Sequence, residues 1–130
     1  MRKLIIPGQP FTKKNSTVVR CLNGKPMVLP SKAYRAYEKH AIRLLKAEAG
    51  QTFSGPIAVR VLYWLKDNRR PDLTNLLQAT ADILEKSGVI ANDRNIVSWD
   101  GSRIAGVSRI MPRAEIEIRQ ADEPQDDFPK

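Results

Sequence analysis

Apolar positions repeat with two periods along the chain, and the switches between them mark out the elements. Residues 3–6 form a short apolar run closed by Pro7-Gly8 and Pro10, which predicts a first strand followed by a basic loop. Residues 17–22 and 26–29 predict two short strands joined at Asn23-Gly24, a pair suited to a tight hairpin because both positions need φ > 0. From Ser31, a good N-cap, the period changes to that of a helix reaching about Ala49, with Gly50 as its stop. Tyr34, Tyr37, Ala41, Leu44 and Leu45 make its buried stripe, with Glu48 on the same line at the open end. Lys32, Arg35, Lys39, Arg43 and Lys46 gather on the other side, and His40 belongs on the surface.

After Gly55-Pro56, strict alternation over residues 57–65 puts Ile57, Val59, Val61, Tyr63 and Leu65 on one face and Ala58, Arg60, Leu62 and Trp64 on the other. One face is wholly apolar, which predicts a central strand packed on helices. A polar loop, residues 66–70, leads to a second helix that begins at Pro71-Asp72 and ends at Ser87-Gly88. Its inner face carries Leu73, Leu76, Leu77, Thr80, Ile83 and Leu84, and its open face Thr74, Asn75, Gln78, Asp82, Glu85 and Lys86. Strands are expected near residues 96–99, 102–107 and 113–119, the last with one polar face. The fold class is therefore α+β: a mixed sheet of about five or six strands with two main helices. One domain is expected over residues 1–121, and the stretch from 122 on is expected to be a mobile acidic tail.

Charge sharpens this picture. The net charge is +8, yet the last nine residues hold four acids and one lysine, so residues 1–121 carry +11. A body this basic favours a polyanionic partner. No run reaches the length of a membrane span. Cys21 is alone, which excludes an intrachain disulfide and leads one to expect a reducing cytoplasm. A single Cys and a single His also exclude a Cys/His zinc site within one chain. An RNA-binding module is disfavoured, because the chain has neither an aromatic RNP-like run nor a GXXG loop.

The chemistry concentrates around the second helix. Asp72 opens it and Asp93 lies in the turn beyond it, with Arg69, Arg70 and Arg94 alongside. Hard cations such as Mg²⁺ take one or two carboxylates and keep several waters, so such a pair suits metal-assisted work on a phosphodiester. Asp82 is ten residues beyond Asp72, roughly 15 Å along the axis, too far to share an ion. The bland alternative is that Asp72 caps its helix and Asp93 organises a turn, and on spacing alone that alternative weighs more. Tyr34, Tyr37, Tyr63 and Trp64 could stack on bases, but their periodic placement argues for core packing.

Arg70-Pro71-Asp72-Leu73-Thr74-Asn75-Leu76, then Asp82-Ile83-Leu84, then the run from Gly88 through Asn92-Asp93-Arg94-Asn95-Ile96 resemble the signature of the RusA-type Holliday-junction resolvases. A weaker similarity extends over residues 29–34 and 112–118. The resemblance implies a homodimeric endonuclease, dependent on Mg²⁺ (Mn²⁺ being the alternative ion), that nicks four-way DNA junctions. It implies Asp72 and Asp93 as metal ligands, with Thr74 and Asn75 completing the catalytic site. DNA phosphates would be met by Arg69, Arg70, Arg94, Lys13, Lys14 and Lys32. Three positions depart from the family pattern: Thr74 stands for a second aspartate, Gln78 for a lysine, and Asn92 for the first acid of the turn. A hydroxyl brings no charge to a cation, and an amide cannot neutralise a phosphate. The alternative is a protein of this fold that binds branched DNA without cutting it.

Overall fold

The computed structural model describes residues 1–13, 17–22, 24–48 and 50–126, with residues 17–22 and 27–30 described by their backbone alone. In chain order the elements are β1 (Arg2–Pro7), β2 (Thr17–Leu22), β3 (Lys25–Pro30), α1 (Lys32–Ala47), β4 (Ile57–Leu65) and α2 (Leu73–Lys86). A single 3-10 turn (Asp93–Asn95) follows, then β5 (Ile96–Ser98), β6 (Arg103–Val107) and β7 (Arg113–Gln120). The architecture is α+β, with a mixed five-stranded sheet, a separate two-stranded hairpin and two helices.

Strand β4 is central. On one side it pairs antiparallel with β7, which in turn pairs antiparallel with β1. Its other edge is shared by two short parallel strands: β5 meets Ile57 and Ala58, and β6 meets Leu62 to Leu65. Between them the ladder would leave the Val61 N–H without a partner, and the Ser102 hydroxyl accepts it at 3.0 Å. A buried N–H left unpaired is costly, so this one hydroxyl lets a single edge serve two strands. The turn that makes the handover has Gly101 at φ +83°, where a Cβ would also stand 2.9 Å from Cδ of Arg60.

The alternation in β4 holds as expected. Ile57, Val59, Val61, Tyr63 and Leu65 are buried and join Leu4, Ile6, Ala114, Ile116 and Ile118 from β1 and β7 in one core. Helix α2 closes over it with Leu76, Ile83 and Leu84, all essentially inaccessible, and α1 adds Ala41 and Leu45. Each of the buried Leu, Ile and Val side chains contributes roughly 1.5–3 kcal/mol by leaving water, the alanines less. Tyr63 carries a hydroxyl into this core and settles it on Thr80 Oγ1 at 2.6 Å, while Thr80 also donates to the Leu76 carbonyl.

Several boundaries differ from the sequence expectation by a residue or two. Ser31 does cap α1, its Oγ accepting from Tyr34 N, but the helix ends at Ala47 with Glu48 as its C-cap, and Ala49 lies outside the described residues. Leu73, not Pro71, begins α2, because the Asp72 backbone is extended and its side chain caps the helix. The hairpin pairs Leu22 with Lys25 around Asn23-Gly24, as expected; Gly24 has φ +76°, and Asn23 lies outside the described residues. Among the described residues no helix is long and apolar enough to cross a membrane.

Candidate active site

The site is assembled from the two ends of α2 and the chain that returns past it. At the N-terminus, Asp72 Oδ1 accepts the Thr74 N–H at 3.0 Å, satisfying one of the donors that a helix start leaves open. Thr74 and Gln78 follow one turn apart on the exposed side. At the far end Gly88, at φ +78°, lets the chain reverse, with Val89 and Ile90 donating back to the Leu84 carbonyl. Phe53 then grips the returning segment, donating to Val89 O and accepting from Ala91 N. These bonds deliver Asn92 and the 3-10 turn to the outer face of α2.

Asn92 caps that turn through Oδ1, which accepts the Arg94 N–H at 2.9 Å, and Glu85 Oε1 accepts the Asp93 N–H at 2.9 Å. Asn92, where the resemblance leads one to expect an acid, thus has a backbone role that an amide performs well. Glu85, on the open face of α2, is a participant that its place in the sequence does not single out. Its only sequence signal was its position on the same helix face as Gln78.

The result is a hollow of about 330 Å³ in which Thr74, Leu77, Gln78 and Ala81 of α2 face Asp93, Arg94, Ile96 and Trp99. Thr74, Gln78, Asp93 and Arg94 are therefore brought together. Asp72 stands at the helix start, tied to Thr74 N but not part of the hollow's lining, and Asn75 is half-buried on the same first turn. Among the described residues neither Asp72 nor Asp93 forms an ion pair with a protein cation.

Beside the N-terminus of α2 runs a shallow groove of about 440 Å³ lined by Gln9, Phe11, Lys66, Asp67, Arg69 and Arg70, among others. Asp67 orders it: its carboxylate accepts from the Arg69 backbone N–H and holds the guanidinium at 2.9 Å. Those hydrogen bonds from Arg69 hold the Asp67 carboxyl below its ordinary range, and reciprocally raise Arg69. Arg70 and Lys66 are exposed in the same groove, and nothing in the sequence around Lys66 marks it out from other surface lysines.

The remaining expected DNA contacts are scattered. Lys13 is ion-paired with Asp82 at 3.2 Å, Lys32 is exposed at the start of α1, and Lys14 lies outside the described residues. Asp82 is accordingly a structural acid, separate from Asp72 and Asp93.

Among the described residues no group of three or more His, Cys, Asp or Glu is placed to hold a metal ion. The donors that are present comprise two carboxylates, a hydroxyl and a side-chain amide, all oxygen-bearing and hard. That set suits a hydrated Mg²⁺ or Mn²⁺ that keeps waters, and does not suit a closed, all-protein cage.

Fold and site together define a small basic α+β domain with a carboxylate-bearing hollow beside a cationic groove. The family described as Endodeoxyribonuclease RusA matches residues 7–119, nearly the whole chain, and the protein belongs to that family. The family comprises Holliday-junction-resolving nucleases that act on branched DNA and depend on divalent metal. No curated protein matches the chain.

Proposed function

We propose that this protein is an active, divalent-metal-dependent endonuclease of residues 1–121 that resolves four-way DNA junctions as a homodimer in the cytoplasm. The observation that carries the reading is that Asp93 and Thr74 line one hollow, with Asp72 accepting the Thr74 N–H, while among the described residues neither aspartate is ion-paired. In this reading Asp72 and Asp93 hold Mg²⁺ or Mn²⁺, with the Thr74 hydroxyl and Asn75 assisting the bound waters. When bound, the ion supplies a water of lowered pKa and polarises the scissile phosphate.

The chain's own residues do the rest. The N-terminus of α2 adds the positive end of its dipole where phosphate charge must be accommodated. Arg94, exposed on the rim of the hollow, can donate two parallel hydrogen bonds to phosphate oxygens and offset charge that grows during displacement. Arg69, oriented by Asp67 yet largely exposed, and Arg70, with Lys66, steer the backbone along the groove, and Lys32, exposed at the start of α1, is a further phosphate contact. Lys13 contributes less because Asp82 already holds it, and Lys14 is assigned to DNA from its position in the chain. Two copies related by a two-fold axis would set two such sites on opposed strands.

A second reading is favoured by a specific observation: three clustered acids are absent among the described residues, and Gln78 presents an amide to the hollow. It is a junction-binding protein without turnover. A labelled synthetic four-way junction incubated with Mg²⁺ or Mn²⁺ separates the two. Paired nicks that vanish in Asp72→Asn are expected; tight binding with intact strands under both metals would establish the second reading.

A further inference from the structure

The turn between β6 and β7, residues 108–112, is held firmly from within. Ser108 N–H donates to the Leu65 carbonyl at 2.8 Å, and Ser108 Oγ accepts the Met111 N–H at 3.2 Å. The Arg113 guanidinium donates to the Met111 carbonyl at 2.8 Å, and Pro112 O accepts the Gly8 N–H at 2.9 Å. At its apex sit two large apolar side chains left to water: Ile110 is 93% exposed and Met111 63%.

Isolated apolar residues on a surface are ordinary. The surroundings of this pair are not. The bond from Ser108 docks the turn on the last residue of β4, whose next residues are the basic loop of Lys66, Arg69 and Arg70 that leads to Asp72. Arg109, also exposed, lies in the turn itself. An ordered apolar tip thus projects from a cationic end of the molecule, on the side where α2 begins.

We propose that Ile110 and Met111 form a wedge that enters between bases at the centre of a branched DNA, with Arg109 holding a flanking phosphate. Side chains of this type insert at base steps and partly unstack them, at a cost that intact duplex resists most. At a branch point stacking is already interrupted, so the same insertion costs less there. The wedge would thereby add preference for branched over linear DNA without reading sequence. This inference rests on the junction-directed reading above.

The test uses the full chain and a four-way junction with 2-aminopurine at the branch point, without divalent metal. Wild type is expected to bind this junction in preference to duplex and to raise the fluorescence. The double variant Ile110→Ser/Met111→Ser alters only exposed positions and should fold normally. It is expected to lose the fluorescence rise and about tenfold in junction affinity, with duplex affinity and its salt dependence unchanged. A double variant that still unstacks the branch point and binds as wild type would overturn the wedge while leaving the junction reading intact. So would a change in sedimentation from dimer to monomer, which would make the tip a contact between copies. Wild type that shows no preference for the junction would overturn both.

Discussion

Where α2 meets α1, Asp82 and Glu38 each face a lysine: Lys13 lies 3.2 Å from Asp82 and Lys86 lies 3.1 Å from Glu38, which also accepts the Tyr34 hydroxyl at 3.0 Å. On the other side of the same helix, among the described residues, neither Asp72 nor Asp93 is paired with a cation. Asp72 accepts an N–H from Thr74, and the Asp93 backbone gives one to Glu85. The first pair of acids fastens two helices and a loop together, and its charge is spent internally. The second pair has no such partner among the described residues, in a protein with cations to spare. Carboxylates left without a counter-charge in so basic a chain are the ones to expect at a cation site.

The acids themselves carry the largest expected effects. Asp93→Asn and Asp72→Asn are each expected to slow junction nicking about a hundredfold or more in single-turnover assays. Asp82→Asn should stay within about threefold of wild type. Equal losses at all three would erase the distinction between the two clusters. Next, Thr74→Asp would add a third acid to the uncompensated side. It is expected to tighten divalent-ion binding about tenfold, seen as a lower metal concentration for half-maximal nicking.

A smaller effect, on stability, belongs to the other cluster. Glu38→Ala leaves the Tyr34 hydroxyl and Lys86 without their acceptor. A loss of about 1–3 kcal/mol is expected, read by urea unfolding, with nicking retained at temperatures where the variant is folded.

The smallest effect is a pH dependence. Burial pushes the Tyr34, Tyr37 and Tyr63 hydroxyls above their ordinary value of 10.0, with the charge and hydrogen bond of Glu38 reinforcing Tyr34. Burial alone would lower Lys86, but its hydrogen bond to Glu38 and the charges of Glu38 and Asp82 leave it raised. All four values are higher in the folded state, so their contribution is complete below pH 10 and fades as pH climbs through the raised values. Unfolding midpoints should therefore fall above about pH 10, and less steeply in Tyr37→Phe.

Much of this was legible in the pattern of residues. The alternation in β4 and the inner face of α2 named the core, because a buried face leaves a period that burial itself imposes. The two-strand sharing of one edge of β4 was not legible, since it depends on a hydroxyl, Ser102, bonding an N–H forty-one residues away. At the site, Asp72 and Asp93 stood out by type and position. Glu85 did not, because its role is a bond to a backbone N–H, and nothing in an acid's identity tells which donor it will meet. The pairing of Lys13 with Asp82 was equally invisible, as it spans sixty-nine positions. The exposed tip at Ile110 and Met111 carries no period at all.

What matters most is the proposed sharing of one cation by Asp72 and Asp93. Calorimetric or paramagnetic titration of Mn²⁺ into the protein with an uncut junction analogue tests it directly, using wild type, Asp72→Asn, Asp93→Asn and Asp82→Asn. Wild type and Asp82→Asn are expected to bind the ion equally, and either of the other two to lose the same binding event. Retention of that event in Asp93→Asn, or its loss in Asp82→Asn, would contradict the account.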